Sequence, residues 1–266
     1  MRALQRIVKK NLKVSATIKG LYTIILSISI NKVFELSLAD TILEHFKDFI
    51  NSHSEPYKSL QAFYTQEKER FFNSKVSDYV NQGKSKEEAS ILARQGFVSA
   101  IGRALEKIIE LLLQDFCLKN NVKITNDKIL RAKNIDDELD KVKRALLVHF
   151  GEYSVLPDGD IILYQTNKDN VKILAILSVK NSFRERFTET PYWKLKLLQS
   201  PITSHIKVFM ITPDNDDEIS FKGKPKKARI VMEYELDGIY LAKSEFDKSS
   251  KIKGIENLLE DLEKLL

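Results

Sequence analysis

The chain has 266 residues, of which 43% are hydrophobic and 30% charged, and this balance is typical of a globular protein with a sizeable apolar core. The single cysteine, Cys117, excludes an internal disulfide framework, and only four histidines disfavour a Cys/His zinc site, so we expect a reducing, cytoplasmic compartment. The formal net charge of +6 makes a polyanion such as nucleic acid, or an anionic membrane surface, a reasonable partner.

The first apolar segment, GLYTIILSISI at residues 20–30, follows Lys9, Lys10 and Lys13 and therefore imitates a signal peptide. It is too short to span a bilayer, and it lacks a small-residue cleavage site. We therefore expect a buried helix or strand here and no membrane partner. The basic residues before it are either a solvated chain end or an arm that contacts phosphates.

The next part of the chain is predicted to be helical. Between residues 33 and 119 apolar residues recur at spacings of three and four, and Pro56 interrupts the pattern once. Ser85 followed by Glu88 is a capping-box pattern, which predicts a long helix over residues 86–118. We therefore expect a mainly helical amino-terminal domain at residues 1–120, followed by a charged helical segment at residues 135–150.

Beyond residue 151 the pattern changes to short apolar runs separated by turn residues, which predicts strands. The predicted strands are residues 161–164, 171–179, 206–212, 228–236 and 238–242. A helical stretch lies between the second and third strands, and an amphipathic helix closes the chain. The predicted fold class is therefore α/β (α+β), with a sheet domain at residues 121–266 behind the helical domain.

Two aspartates and a lysine lie at the ends of the first two predicted strands. Asp158 and Asp160 precede the first strand, and Lys180 ends the second, so a tight turn between the strands would bring acid and lysine together. Carboxylate oxygens hold divalent metal ions, and a lysine can orient and help deprotonate a bound water, as phosphodiester hydrolysis requires. The alternative is that the aspartates are turn residues and the lysine caps a strand with its head in water.

The order of these residues resembles the PD-(D/E)xK nuclease core. "PD" is followed by an apolar strand and then by "SVK", in which Ser178 occupies the usual place of an acidic residue. The triplet Arg184, Glu185 and Arg186 begins four residues after Lys180, and this spacing resembles the BsaWI-like group of type II restriction endonucleases, which read CCGG-type sites.

This resemblance implies a restriction-endonuclease-like fold, with a central mixed sheet flanked by helices and an amino-terminal helical domain. It also implies Mg²⁺-dependent hydrolysis of both strands of double-stranded DNA at a short palindrome with a CCGG-like core. Because a palindrome is read by two-fold symmetric subunits, we expect a homodimer or a higher homo-oligomer.

The resemblance also assigns roles to the acidic residues. It favours Asp158, in the "PD" pair, as the main metal ligand, although Asp160 stays a rival because residues two apart in a strand share a face. Glu189 is the available glutamate for the ligand position that Ser178 leaves vacant.

Nucleases of this core often take a further catalytic glutamate from a preceding helix, here supplied by the helical domain. Glu106 is chosen over Glu110, which lies one turn away on the same face. The alternative is that both are surface glutamates that pair with Lys107 or Arg103.

The triplet after Lys180 is predicted to read DNA bases. Ser182 and Glu185 match a capping box, so the triplet would lie in the first turn of a helix. Arg184 and Arg186 can each donate two hydrogen bonds to guanine O6 and N7, and Glu185 can accept from cytosine N4. The alternative is a solvated, self-paired helix start.

Two other functions fit the same residues. A nuclease of this core could act in DNA repair or recombination and read DNA structure rather than sequence. A non-catalytic DNA-binding protein is also compatible with the positive charge, and its acidic residues would then be structural.

Overall fold

The computed structural model describes residues 37–167, 170–182 and 187–266. Contacts divide the chain into two compact units, Met1–Thr41 and Ile42–Leu266. The element predicted at residues 20–30 lies outside the described residues, and the predicted domain boundary at residue 120 stays a prediction. The site lies entirely within the second unit.

Three long helices come first in the described chain: α1 (Leu38–Ser52), α2 (Leu60–Asn81) and α3 (Lys86–Asn120). The interruption predicted at Pro56 separates α1 from α2. The predicted cap of α3 is confirmed, because the Ser85 hydroxyl accepts a hydrogen bond from the Glu88 amide at 3.1 Å. None of the described helices has both the length and the apolar character that a bilayer span requires.

The remaining elements alternate between short helices and strands. In chain order they are β1 (Lys123–Thr125), α4 (Asp127–Leu130), α5 (Asp137–Leu146), β2 (Val148–Phe150), β3 (Tyr153–Val155), β4 (Ile161–Asn167), β5 (Asn170–Val179), α6 (Glu189–Leu197), β6 (Lys207–Thr212), α7 (Lys227–Glu235), β7 (Gly238–Leu241), β8 (Ile252–Gly254) and α8 (Leu258–Glu263). A 3₁₀ turn, Ile255–Asn257, leads into α8. Strands β2 and β3 form a separate hairpin.

The main sheet is mixed, as predicted. Its six strands lie in the order β1-β4-β5-β6-β7-β8. The β1–β4 and β4–β5 pairs are antiparallel, whereas β5 to β8 run parallel to one another. Because Ile161 at the start of β4 pairs with Leu177 near the end of β5, the same register puts Asp160 opposite Ser178, two residues before Lys180. This register places the two ends that carry Asp160 and Lys180 next to each other.

Both faces of the sheet are buried. On one face, strand residues pack with α5, α6 and α7; the core there includes Ile162, Ile176, Val208, Met210 and Ile239 with Val142, Leu197 and Met232. On the other face Leu163, Leu177 and Ile211 are fully buried, and α3 contacts β5. Side chains alternate between these faces, as the pleat requires.

The structure corrects one predicted strand and adds four that were not predicted: β1, β2, β3 and β8. Residues 228–236 form most of α7 rather than a strand, because Ala228 and Met232 recur at the helical spacing and are buried while Ile230 and Tyr234 face solvent. A short apolar run does not distinguish these two structures. The three-residue strand β8 was not predicted, since it is too short to show a pattern.

The charged segment predicted to be helical over residues 135–150 is helical only to Leu146. The last three residues of the predicted segment instead form β2, which turns back into β3 through Gly151. Gly151 has a φ of 61°, and this positive φ is the backbone conformation that favours glycine in a two-residue hairpin loop.

Candidate active site

The centre of the site is a contact between Asp160, just before β4, and Lys180, just after β5. The Lys180 Nζ lies 2.9 Å from Asp160 Oδ2 and 3.1 Å from Oδ1. The Val179 amide also donates to Asp160 Oδ2, at 2.8 Å, and the Lys180 amide donates to the Ile211 carbonyl of β6. Both ends of the ion pair are therefore held by the sheet. The Asp160 side chain remains 14% exposed and the Lys180 side chain 30% exposed.

Asp158 has different partners. Its Oδ1 accepts from Arg131 Nη2 at 2.8 Å, and its Oδ2 accepts from Trp193 Nε1 at 3.1 Å. The carboxylate is 51% exposed. Asp158 therefore joins the loop before β4 to α6 and to the residue after α4, while Asp160 takes the position beside the lysine. The geometry favours Asp160 over Asp158 as the carboxylate that acts with Lys180.

Gly159 lets this loop approach the sheet closely. A Cβ on Gly159 would lie 3.0 Å from Ile176 Cγ2 and 3.1 Å from Ile162 Cγ1, which is too close for another residue without movement of the core. The Gly159 carbonyl accepts from the Asp127 amide at 3.0 Å, so α4 is attached to the same loop. The two aspartates on either side of this glycine consequently have fixed and separate environments.

Glu106 of α3 belongs to the same cluster. Burial is the largest influence on its carboxyl and raises the pKa, the negative charge of Asp160 raises it further, and Lys128 and Lys180 oppose both effects. Lys128 Nζ lies 3.3 Å from Glu106 Oε2. A carboxylate that is close to Asp160 and partly withdrawn from water is a favourable place for a cation.

Glu110 lies one turn further along α3 and faces a groove that includes Leu43 and Leu118. Burial raises the pKa of Glu110, and the negative charge of Glu106 raises it further, but Asp160 and Lys180 do not contribute to its shift. The choice of Glu106 over Glu110 stays a prediction; of the two carboxyls, only that of Glu106 is influenced by the charges of Asp160 and Lys180.

Ser178 is buried under the start of α6. Its hydroxyl accepts a hydrogen bond from Thr190 Oγ1 at 3.0 Å. Glu189, the residue before Thr190, is exposed in the first turn of α6, and its carboxylate makes no hydrogen bond or ion pair with any residue that the structure describes. The contact between Ser178 and Thr190 brings the start of α6 to the end of β5, two residues before Lys180.

The predicted base-reading residues Arg184, Glu185 and Arg186 lie outside the described residues. The chain that leads to them is held by the loop after β6: Ser182 Oγ donates to Asp216 Oδ2 at 2.7 Å, and Asn215 Nδ2 donates to Asn181 Oδ1 at 3.2 Å. These contacts were not predicted, because they join residues that are more than thirty positions apart.

The donor set suits a hard divalent cation. Within the described ranges no group of three His, Cys, Asp or Glu side chains is arranged to hold a metal, but Asp160 and Glu106 supply carboxylate oxygens, and the charge of Asp160 raises the pKa of Glu106. Oxygen ligands from one or two carboxylates, with the remaining positions taken by water and substrate phosphate, are the usual arrangement for Mg²⁺. The residues present therefore fit Mg²⁺.

Lys128 is the member of this cluster that sequence reasoning missed. It lies on α4, far from "SVK" in the sequence, and no motif includes it. The only signal available was its place in a polar stretch between α3 and α5, which by itself does not distinguish it from the many other lysines of the chain.

Comparison with known proteins gives a consistent set of relatives. A family model described as BsaWI restriction endonuclease type 2 matches residues 138–261. The chain is 83% identical over 194 residues to "Probable type II restriction enzyme HpyAORF263P" of Helicobacter pylori, which covers 73% of this chain and 100% of that protein. It is 48% identical over 221 residues to "Putative type II restriction enzyme MjaVIP" of Methanocaldococcus jannaschii, and the match covers 82% of this chain and 96% of that protein.

Two solved structures are similar at low sequence identity. "Crystal structure of pre-specific restriction endonuclease BsaWI-DNA complex" matches with a TM-score of 0.40 and 12% identity, over 85% of this chain and 90% of that chain. "Metal-depleted Ecl18kI in complex with uncleaved DNA" matches with a TM-score of 0.48 and 15% identity, over 92% of this chain and 84% of that chain.

Proposed function

Because the chain belongs to the BsaWI family of type II restriction endonucleases, we propose that it hydrolyses both strands of duplex DNA, with Mg²⁺, at a short palindrome with a CCGG-like core. The observation that supports the chemistry is the Asp160–Lys180 contact at 2.9 Å, with Glu106 beside it. Membership of this family also favours sequence-specific cutting over a repair nuclease or a non-catalytic DNA-binding protein.

The proposed metal ligands are Asp160 and Glu106, with Glu189 as a third carboxylate. When bound, Mg²⁺ supplies positive charge against the developing negative charge of the scissile phosphate and increases the acidity of water. Asp160 is proposed as the main ligand in place of Asp158, because Asp158 is already bonded to Arg131 and Trp193. Asp158 then acts by holding the loop that carries Asp160.

Lys180 is proposed as the catalytic lysine. Its ammonium group is held by Asp160 and still partly exposed, so it can donate to a phosphate oxygen or to the attacking water without a change in the sheet. A fixed positive charge at this place stabilises the additional negative charge of the transition state, and it requires no reorganisation during the reaction.

The triplet Arg184, Glu185 and Arg186 is proposed to read the G·C pairs of the target. It follows the catalytic strand directly, so reading and cutting would use one short stretch of chain. The proposed assembly is a homodimer or a higher homo-oligomer, because two-fold related subunits can cut both strands of a palindrome. The proposed compartment is the cytoplasm, where the DNA substrate would be encountered.

Digestion of a plasmid of known sequence with Mg²⁺, followed by sequencing of the fragment ends, tests this function. We expect discrete fragments whose ends all lie at one palindrome that contains the CCGG-like core. A smear of products, or nicking confined to DNA junctions, would instead support the repair or recombination nuclease. The absence of cleavage with both Mg²⁺ and Mn²⁺ would support the non-catalytic protein.

The matched control is Lys180→Ala, purified in the same way. This variant should lose cleavage but retain specific binding of the same duplex in a gel-shift assay with Ca²⁺. Mg²⁺-dependent cutting by Lys180→Ala at the wild-type rate would contradict the role of the lysine, and it would leave the identity of the cleaved palindrome unaffected.

A further inference from the structure

Lys128 is a second lysine at the active site. Its Nζ lies 3.3 Å from Glu106 Oε2, and this is its one ion pair among the residues that the structure describes. The Lys128 side chain is 65% exposed, whereas that of Glu106 is 22% exposed. The ammonium group therefore covers the solvent side of a carboxylate that is mostly withdrawn from water.

The backbone around Lys128 is well fixed. Asn126 caps α4 by accepting from the Ile129 amide at 2.9 Å, and the Asp127 amide donates to the Gly159 carbonyl at 3.0 Å. Arg131, just after α4, donates to the Leu156 carbonyl at 3.0 Å. The base of the Lys128 side chain is therefore attached to the loop that carries Asp160, while the side chain itself is mostly exposed.

The two lysines of the site are held differently. Lys180 makes two contacts with Asp160, at 2.9 Å and 3.1 Å, and is 30% exposed. Lys128 makes one longer contact and is twice as exposed. An ion pair of this exposed kind contributes little, about 1 kcal/mol or less, so its lysine can change partners at small cost.

The balance of charge in the cluster depends on Lys128. Asp160 and Glu106 together carry two negative charges, and Lys180 and Lys128 balance them. Without Lys128 the site would have an excess of negative charge and would repel a DNA phosphate until a cation arrived. Lys128 lowers the negative charge of the metal-free site, so duplex DNA can approach it more readily.

We propose that Lys128 is a positioning residue that changes partner during the reaction: it pairs with Glu106 before metal binds, and it moves to a DNA phosphate when a divalent cation takes its place on Glu106. This inference rests on the proposed function, since it takes Glu106 as a metal ligand and duplex DNA as the substrate. The long, flexible lysine side chain, which carries a compact charge, is suited to such a movement.

The first test measures DNA binding without metal and then with Ca²⁺. In EDTA, Lys128→Ala should bind the specific duplex about threefold to fivefold more weakly than wild type, because Glu106 then faces the DNA without its ion-pair partner. With Ca²⁺ in place of EDTA, the slope of log K against log salt concentration should become shallower by about 1 in Lys128→Ala, because the phosphate contact that Lys128 makes once a cation is bound is lost. Lys128→Arg should restore both values.

The matched control is Lys119→Ala. Lys119 is exposed on the same helix as Glu106 but lies roughly 20 Å further along it, at about 1.5 Å per residue, and its removal changes the net charge equally. We expect Lys119→Ala to bind DNA with wild-type affinity and salt slope. An equal loss in both alanine variants would show that net charge alone is responsible, and it would contradict the proposal.

The second test measures cation binding without DNA. Mn²⁺ titration followed by electron paramagnetic resonance should give an affinity about threefold tighter for Lys128→Ala than for wild type, because the competing ammonium group is gone. The double variant Lys128→Ala/Glu106→Gln should lose this gain. Unchanged Mn²⁺ affinity together with unchanged metal-free DNA affinity in Lys128→Ala would overturn the proposal.

These outcomes are separable from failure of the proposed function. If wild type cuts at one palindrome and Lys128→Ala behaves as wild type in both binding assays, only the inference on Lys128 fails. If wild type yields no discrete fragments, the proposed function fails whatever Lys128→Ala does. Lys128→Gln, which keeps the length of the side chain without its charge, replaces the alanine variant if thermal melting shows that Lys128→Ala is unfolded.

Discussion

Lys180 Nζ and Asp160 Oδ2 lie 2.9 Å apart, and the same carboxylate oxygen accepts the Val179 amide at 2.8 Å. Asp160 is thus bonded to both the side chain and the backbone at the end of β5. The aspartate two residues earlier has no part in this contact and is bonded to Arg131 and Trp193. Substitutions of the two aspartates should therefore have different effects.

Asp160→Asn should reduce cleavage by at least about a thousandfold, because an amide keeps the size and one acceptor but not the charge that holds a divalent cation. Asp158→Asn should stay within about tenfold of wild type, since it weakens only exposed contacts of the loop. Single-turnover cleavage of a labelled duplex at saturating Mg²⁺ measures both. The reverse order of activities would identify Asp158 as the main ligand.

Glu106→Gln should reduce cleavage by about a hundredfold or more, as expected for loss of one metal-binding carboxylate. Glu110→Gln is its matched control, because it lies one turn away on the same helix and is also partly buried. We expect the control to stay within about threefold of wild type. The Mg²⁺ concentration for half-maximal rate should rise for Glu106→Gln only; an equal rise in both variants would show that α3 acts through its total charge.

Glu189→Gln tests the third carboxylate. If Glu189 occupies the ligand position that Ser178 leaves vacant, the variant should cleave about a hundredfold more slowly and require more Mg²⁺. Its folding stability should change by less than about 0.5 kcal/mol, because the side chain is exposed and makes no ion pair with a described residue. Wild-type cleavage kinetics in Glu189→Gln would remove this residue from the site.

Arg184→Ala and Arg186→Ala should each lose discrimination at a G·C pair. The expected cost is about 1–3 kcal/mol for each bidentate contact with guanine. Selection of bound sequences from a randomised duplex library measures the specificity, with Lys119→Ala as a charge-matched control. Unchanged specificity in both arginine variants would remove the base-reading role of the triplet.

The Asp261 carboxylate should make folding stability depend on acid pH. Burial raises its pKa, but hydrogen bonds from Lys253, Lys264 and Tyr240 outweigh this and lower the pKa to about 2. Because the pKa in the folded state lies below that of the unfolded chain, the stabilisation is complete above the unfolded value near 3.8 and is lost as the pH falls towards 2.

Urea unfolding at pH 6 and pH 3 measures this effect. Over that interval the Asp261 contribution should fall by about 1 kcal/mol in wild type, and this part of the decline should be absent in Asp261→Asn. Of the partners, Lys264 is exposed and Lys253 is partly exposed, so added salt should reduce the difference. An identical loss of stability with acid in both proteins would show that Asp261 titrates normally.

Several elements could be predicted from the sequence because their signals lie within a few residues. The Ser85 and Glu88 pattern predicted the start of α3, and alternating apolar runs predicted β4, β5 and β6. The position of an acid beside Lys180 also followed from the sequence, since a tight turn makes neighbouring strands antiparallel. Local propensity failed at α7, where burial against the sheet, and not the apolar run itself, determines the helix.

The sequence by itself determined the family, the order of β4 and β5, and the presence of an acid and a lysine at their adjoining ends. Only the tertiary structure decided which aspartate is next to Lys180, because the sequence alone does not separate Asp158, which contacts Arg131 and Trp193, from Asp160, which contacts Val179 and Lys180. It also decided that Glu106 and Lys128 join this site. Their helices meet the loop before β4 through packing between distant segments, and no local pattern of residues specifies such contacts.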